Sequence, residues 1–122
     1  MKSIHQRVLE GLEAMVENQG EGWFLIAEEP ETESFVQFAF DEGVALIFDC
    51  PTISFNEDEL ERAKLVMGRF GIELEHPSGD DFASFNADMA MDIEKAADIA
   101  TAMLQEVFMF EPETRLNITI NR

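Results

Sequence analysis

The stretch Ser34-Phe35-Val36-Gln37-Phe38-Ala39-Phe40-Asp41-Glu42-Gly43-Val44-Ala45-Leu46-Ile47-Phe48-Asp49 decides the fold class. Two apolar runs, Phe35 to Phe40 and Val44 to Asp49, flank the short connection Asp41-Glu42-Gly43. A brief glycine-containing link between such runs is a β-hairpin signal. Side chains alternate across a strand, so Val36, Phe38 and Phe40 share one face, and Phe35, Gln37 and Ala39 the other. Both faces of this hairpin therefore carry apolar groups.

On the N-terminal side, Trp23 to Glu28 reads as a third strand, closed by Glu29-Pro30-Glu31. Ahead of it, Ile4, Val8, Leu9, Leu12, Met15 and Val16 recur at helical spacing. That predicts an amphipathic helix over about residues 3–18, capped by Ser3 and ended by Gln19-Gly20-Glu21-Gly22. Gly11 inside it costs about 1 kcal/mol relative to Ala, which points to a close packing contact there.

On the C-terminal side, Asn56 and Glu59 have the spacing of a capping box, and Leu60, Ala63, Val66, Met67 and Phe70 form an apolar stripe. Gly71 is the stop signal. Ile72 to Glu75 alternates as a short strand, His76 to Asp81 is a turn or loop, and Phe82 to Ala87 is a further strand, with Phe82 and Phe85 on opposite faces. A last helix starts near Asp92 and carries its stripe from Ile93 to Phe108. After Glu111-Pro112-Glu113, Leu116, Ile118 and Ile120 alternate with polar residues as a final strand. The order is α-β-β-β-α-β-β-α(-β). Consecutive strands on short loops argue for an α+β fold: an antiparallel sheet flanked by helices, in a single domain covering residues 1–122.

Composition narrows function mainly by exclusion. The formal net charge is −18. Free nucleic acid and anionic membranes are disfavoured partners, since both need clustered Lys and Arg. The charge either maintains solubility, steers basic partners, or imitates a polyphosphate in the manner of a DNA mimic. There are eleven Phe, one Trp and no Tyr, with seven Met, an inventory suited to dry cores and adaptable apolar contacts. The single Cys50 cannot form an internal disulfide and lacks companions for a zinc site, which suggests a reducing, cytoplasmic setting. Residues 1–20 lack the continuous apolar region of a secretion signal, and no apolar run approaches the roughly 20 residues of a membrane span.

Catalytic equipment is not visible. His5 and His76 stand alone, the serines fit no nucleophile elbow, and the glycines are too dispersed to cradle phosphate. The acidic doublets Glu28-Glu29, Asp41-Glu42 and Asp80-Asp81 fall in predicted turns, where adjacent carboxylates are usually solvated. Asp80-Asp81 with Asp88 does not match a calcium loop. No enzyme activity, cofactor or metal is expected.

Three segments resemble a known group. Phe35-Val36-Gln37-Phe38-Ala39 matches the "FVQFA" hairpin of the YbjN-like and type III secretion chaperone-like families, the TY-Chap peptide-binding chaperones. Leu60 to Leu74 is similar to their "aLxxLGW" segment, with Phe70 and Ile72 for the usual Leu and Trp. Ala97 to Phe108, with Met103-Leu104-Gln105-Glu106-Val107-Phe108, is similar to "tLrevfG", and Pro112 and Leu116 follow in place. Met109 stands where that group often has Gly. The likeness covers roughly residues 23–118. It implies a sandwich-like α+β fold, a small acidic homodimer, and non-enzymatic capture of an extended polypeptide client on apolar patches. Phe35, Phe38, Phe40, Ile53 and Phe55 are the expected client-binding residues, with some of them reserved for the core. The competing reading is an acidic DNA mimic or antagonist that binds a basic protein; partners insensitive to salt would argue against it.

Overall fold

The computed structural model describes residues 2–18, 23–41, 45–75 and 83–121. Its elements run α1 (Ile4–Asn18), β1 (Trp23–Glu28), β2 (Phe35–Asp41), β3 (Ala45–Pro51), α2 (Glu57–Gly68), β4 (Leu74–Glu75), β5 (Ser84–Asp88), α3 (Ile93–Ala102), a π-helical turn (Met103–Val107) and β6 (Asn117–Asn121). The order of helices and strands is the expected one. The strands form one antiparallel sheet in the order β4-β5-β3-β2-β1-β6. The Glu42-Gly43 part of the predicted hairpin turn, the predicted helix stop at 19–22, the loop at 76–81 and Phe82 lie outside the described residues.

Local signals account for the helices. Ser3 Oγ accepts a hydrogen bond from the Gln6 backbone N–H at 3.2 Å, capping α1. Ile4, Val8, Leu12 and Met15 are buried along its inner stripe. A Cβ added at Gly11 would lie 2.9 Å from Leu25 Cδ1 and 3.1 Å from Ile118 Cγ2, so this glycine lets α1 sit close on β1 and β6. Asn56 Oδ1 accepts from the Glu59 N–H at 2.8 Å, and Glu59 Oε1 accepts from the Asn56 N–H at 3.0 Å, which completes the predicted capping box. Beyond α2 the chain turns through Gly71 at φ 75°, and the Ile72 N–H bonds back to the Met67 carbonyl. Asp92 caps α3 through the Lys95 N–H. Ala96, Ala97 and Ala100 are fully buried, and their small size lets α3 approach α1.

Several expected boundaries move, β3 running on to Pro51 and β5 to Asp88, and two changes are larger. The strand predicted over 72–75 is only Leu74–Glu75, while Ile72 is buried ahead of it. The last helix does not continue as one α-helix to Phe108, because it changes to π geometry at Met103. Arg62 of α2 explains how the new ending is held. Its Nε and Nη2 donate to the Val107 carbonyl at 3.0 and 2.7 Å. The Phe108 N–H reaches back to the Met103 carbonyl, and Met109 takes φ 65°.

α1, the π-turn and the elements packed on them cover one face of the sheet. Across that face Ile120, Leu25, Phe38, Phe48 and Ala87 stand in one row of cross-strand register. The Phe38 and Phe48 rings lie 5.4 Å apart at the centre of the core. Phe38, Phe48 and Phe85 are each fully buried, and each contributes about 2–3 kcal/mol of apolar burial. The buried residues form one contiguous cluster.

Candidate functional site: the open face of the sheet

Strand alternation sends Phe24, Ile26 and Glu28 of β1 to the face away from the core. Phe35, Gln37 and Ala39 of β2, and Ile47 and Asp49 of β3, share that face with them. The register sorts these side chains into rows. Phe24, Ala39, Ile47 and Asp88 form one, and Thr119, Ile26, Gln37, Asp49 and Asn86 the next. Glu28 stands between Phe35 and Asn117 in the third.

The result is an apolar patch with a polar and acidic surround. Phe24 is 37% exposed, and Ile26, Phe35, Ala39 and Ile47 are half-buried. Gln37 Nε2 donates to Asp49 Oδ2 at 2.9 Å, which ties the two side chains together across β2 and β3. Ile26, Glu28, Phe35, Gln37, Thr119 and Asn121 line a shallow groove of about 350 Å³ over β6, β1 and β2. An apolar floor with acidic and amide groups at its margins can bury the apolar side chains of a bound chain and hydrogen-bond its polar groups.

The five residues expected to bind a client are not brought together. Phe38 and Phe40 are 0% and 4% exposed, on the core face, where they hold the sheet to the helices. The correction follows from strand parity, which commits all of Val36, Phe38 and Phe40 to one side once the helices cover it. Phe35 is on the open face. Ile53 is 71% exposed in the connection between β3 and α2. Phe55 is half-buried, edge-on to Phe108 with ring centroids 5.2 Å apart, and Phe108 in turn meets Phe110 at 5.9 Å. Ile53 and Phe55 therefore belong to a different part of the surface from Phe35. Phe24, Ile26 and Ile47 were not singled out from sequence, although the unbroken apolar run in β1 signals apolar groups on both faces.

Several polar side chains elsewhere are held by contacts within the chain. Glu29 is not solvated as its doublet suggested. The residue is 7% exposed, and its carboxylate accepts from the Thr32 N–H at 2.7 Å, the Glu31 N–H at 3.1 Å and the Thr32 hydroxyl at 2.8 Å. The Thr32 backbone bond leads in holding its carboxyl below the usual range, against the opposing effect of burial. Cys50 is buried on the core face, and burial, followed by the nearby Asp49 charge, pushes its thiol up to about 12. That removes it as a nucleophile. His5 bonds Asp98 at 2.8 Å and Arg69 bonds Glu106 at 2.6 Å beside a second hollow of about 430 Å³, where each of these four side chains already has its partner. Asp88 Oδ1 accepts from the Ala90 N–H, while Asp80 and Asp81 lie outside the described residues. Among the described residues no group of three or more His, Cys, Asp or Glu is placed to hold a metal ion, and no helix is long and apolar enough to cross a membrane.

No family model matches the chain, and no curated protein or solved structure matches it.

Proposed function

We propose that this chain is a non-enzymatic, chaperone-like binding protein that holds an extended segment of a partner polypeptide on the open face of its sheet. The observation that carries the reading is the row Phe24, Ala39 and Ile47, with Ile26 and Phe35 beside it, on a sheet face that the helices leave uncovered. The resemblance of the hairpin, second helix and last helix to peptide-binding chaperones supports the same class of function. The acidic surround adds a preference. Glu28, Asp49 and Asp88 stand on this face, and a net charge of −18 favours clients whose apolar anchors alternate with Lys or Arg.

Each client side chain of Leu or Phe size buried on the patch contributes about 1.5–3 kcal/mol before ordering costs. Two or three anchors give about 3–9 kcal/mol before those costs, so binding is weak, roughly micromolar at its tightest and weaker for most clients. The test is an array of extended peptides probed with the parent chain and with the double variant Phe24→Asp, Ile47→Asp. Peptides with alternating apolar and basic residues are expected to bind the parent and to lose at least tenfold in affinity on the variant, with an unchanged circular dichroism spectrum. Binding that survives the double variant refutes the open face as the site. A partner held by acidity alone, lost at moderate salt and indifferent to the double variant, would favour the DNA-mimic reading instead.

A further inference from the structure

We infer that β6 is a self-pairing edge, which joins two copies of this chain by antiparallel addition of one β6 to the other. β6 has β1 on one side and, among the described residues, no strand on the other. Its sequence, Asn117-Ile118-Thr119-Ile120-Asn121, reads the same in both directions. A two-fold axis through Thr119 therefore places Asn117 opposite Asn121, Ile118 opposite Ile120, and Thr119 opposite itself. Every cross-strand pair then matches in character and in face, as an isologous interface requires.

The edge also lacks the usual protection. Exposed edge strands are commonly blunted by charge, proline, a bulge or brevity. β4, at the opposite edge, is two residues long and contains Glu75. β6 is five residues long and uncharged. The half-buried Ile118 and Ile120 lie on the helix side of the sheet and keep apolar surface that the matching pair of a second copy would cover. Asn117, Thr119 and Asn121 are exposed on the open side, where amides and hydroxyls would meet their equivalents.

Electrostatics permit contact at the same place. In a chain of net charge −18, two copies repel over most of their surfaces. From Thr114 to Arg122 there is no acidic residue, and Arg115 and Arg122 flank the strand. This edge is therefore one where two such acidic molecules can meet with little repulsion, and salt should tighten the pair by screening the rest. A five-residue contact is small, so the dimer is weak, with a dissociation constant in roughly the micromolar range.

Cysteine cross-linking tests the register directly, since Cys50 is buried and contributes no background. Residues directly opposite in an antiparallel pair have Cα atoms about 4.5–5.5 Å apart, within disulfide reach. Thr119→Cys alone is expected to give a covalent dimer on mild oxidation. Asn117→Cys alone and Asn121→Cys alone are expected not to, because their copies would stand about 13 Å apart. An equal mixture of those two variants is expected to cross-link. Sedimentation velocity over a concentration series gives the second readout. Thr119→Lys, on the exposed side, is expected to weaken association at least tenfold with an unchanged circular dichroism spectrum. The inference is overturned if the parent stays monomeric at 100 µM, if Asn117→Cys alone cross-links as fast as Thr119→Cys, or if folded Thr119→Lys associates like the parent.

Discussion

Replacing Arg62 by Ala removes both donors from the Val107 carbonyl, which accepts from Nε at 3.0 Å and Nη2 at 2.7 Å. Val107 is fully buried, and the π-turn places its carbonyl at the end of the helical ladder, where the following chain turns away through Met109. Hydrogen bonds from a charged donor contribute about 1.5–3 kcal/mol, and a buried carbonyl left without a partner costs about 1–3 kcal/mol. These describe the same loss from two sides, so the expected destabilisation is about 2–3 kcal/mol. For a domain of this size, about 1 kcal/mol moves the thermal midpoint by roughly 4 °C, so Arg62→Ala should melt about 8–12 °C lower. Arg62→Lys keeps the charge and one donor but loses the planar fork, and should fall about halfway. Urea unfolding followed by circular dichroism gives the free energies, and a thermal scan gives the midpoints. An Arg62→Ala variant within 0.5 kcal/mol of the parent would falsify the argument that this one guanidinium anchors the π-turn. The substitution lies on the helix layer, so peptide binding by the open face, measured well below the melting temperature, should be unchanged.

Cys50 should resist alkylation at pH 8 in the folded protein and react fully in denaturant; rapid native labelling would contradict its burial. Its thiol pKa rises from 9.0 to about 12 on folding, so the unfolded chain releases this proton first and stability falls as pH rises through that window, by about 1.4 kcal/mol per pH unit at most. Urea midpoints between pH 8 and 10 should show this fall in the parent and not in Cys50→Ala, whose stability is lower throughout. Glu29 works at the other end of the scale. Its folded pKa is lowered from 4.5, so its contribution is present above that value and fades as pH drops through the folded pKa. Urea midpoints between pH 7 and 3 should fall less steeply in Glu29→Gln than in the parent, and parallel curves would refute the role of its three hydrogen bonds.

The periodic elements were legible because each carries its own signal. The Asn56 and Glu59 pair announces α2, and the FVQFAF run announces β2. What stayed hidden required knowledge of which partners meet. Phe38 and Phe35 look alike in sequence, and only the placement of the helix layer sends one to the core and the other to the surface. Phe24 and Ile47 become one patch only through the register that sets Ala39 between them. Glu29 resembles any turn acid until Thr32 is seen to fold back onto it. The π-turn depends on Arg62, which is 45 residues away from the carbonyl it holds.

The position of β1 between β2 and β6 has a consequence for the order of folding. One neighbour, β2, follows it closely in the chain, whereas the other, β6, pairs with it from about ninety residues away. Closing a loop of that length costs roughly 4 kcal/mol of chain entropy before any ladder bond forms. The β1-β2-β3 meander can assemble locally while β6 is still remote, which makes β6 a late arrival. Until it docks, the edge of Trp23-Phe24-Leu25-Ile26-Ala27 is left unpaired. An emerging chain therefore carries an apolar strand edge, prone to wrong pairing, in the open until residues 117–121 have been synthesised.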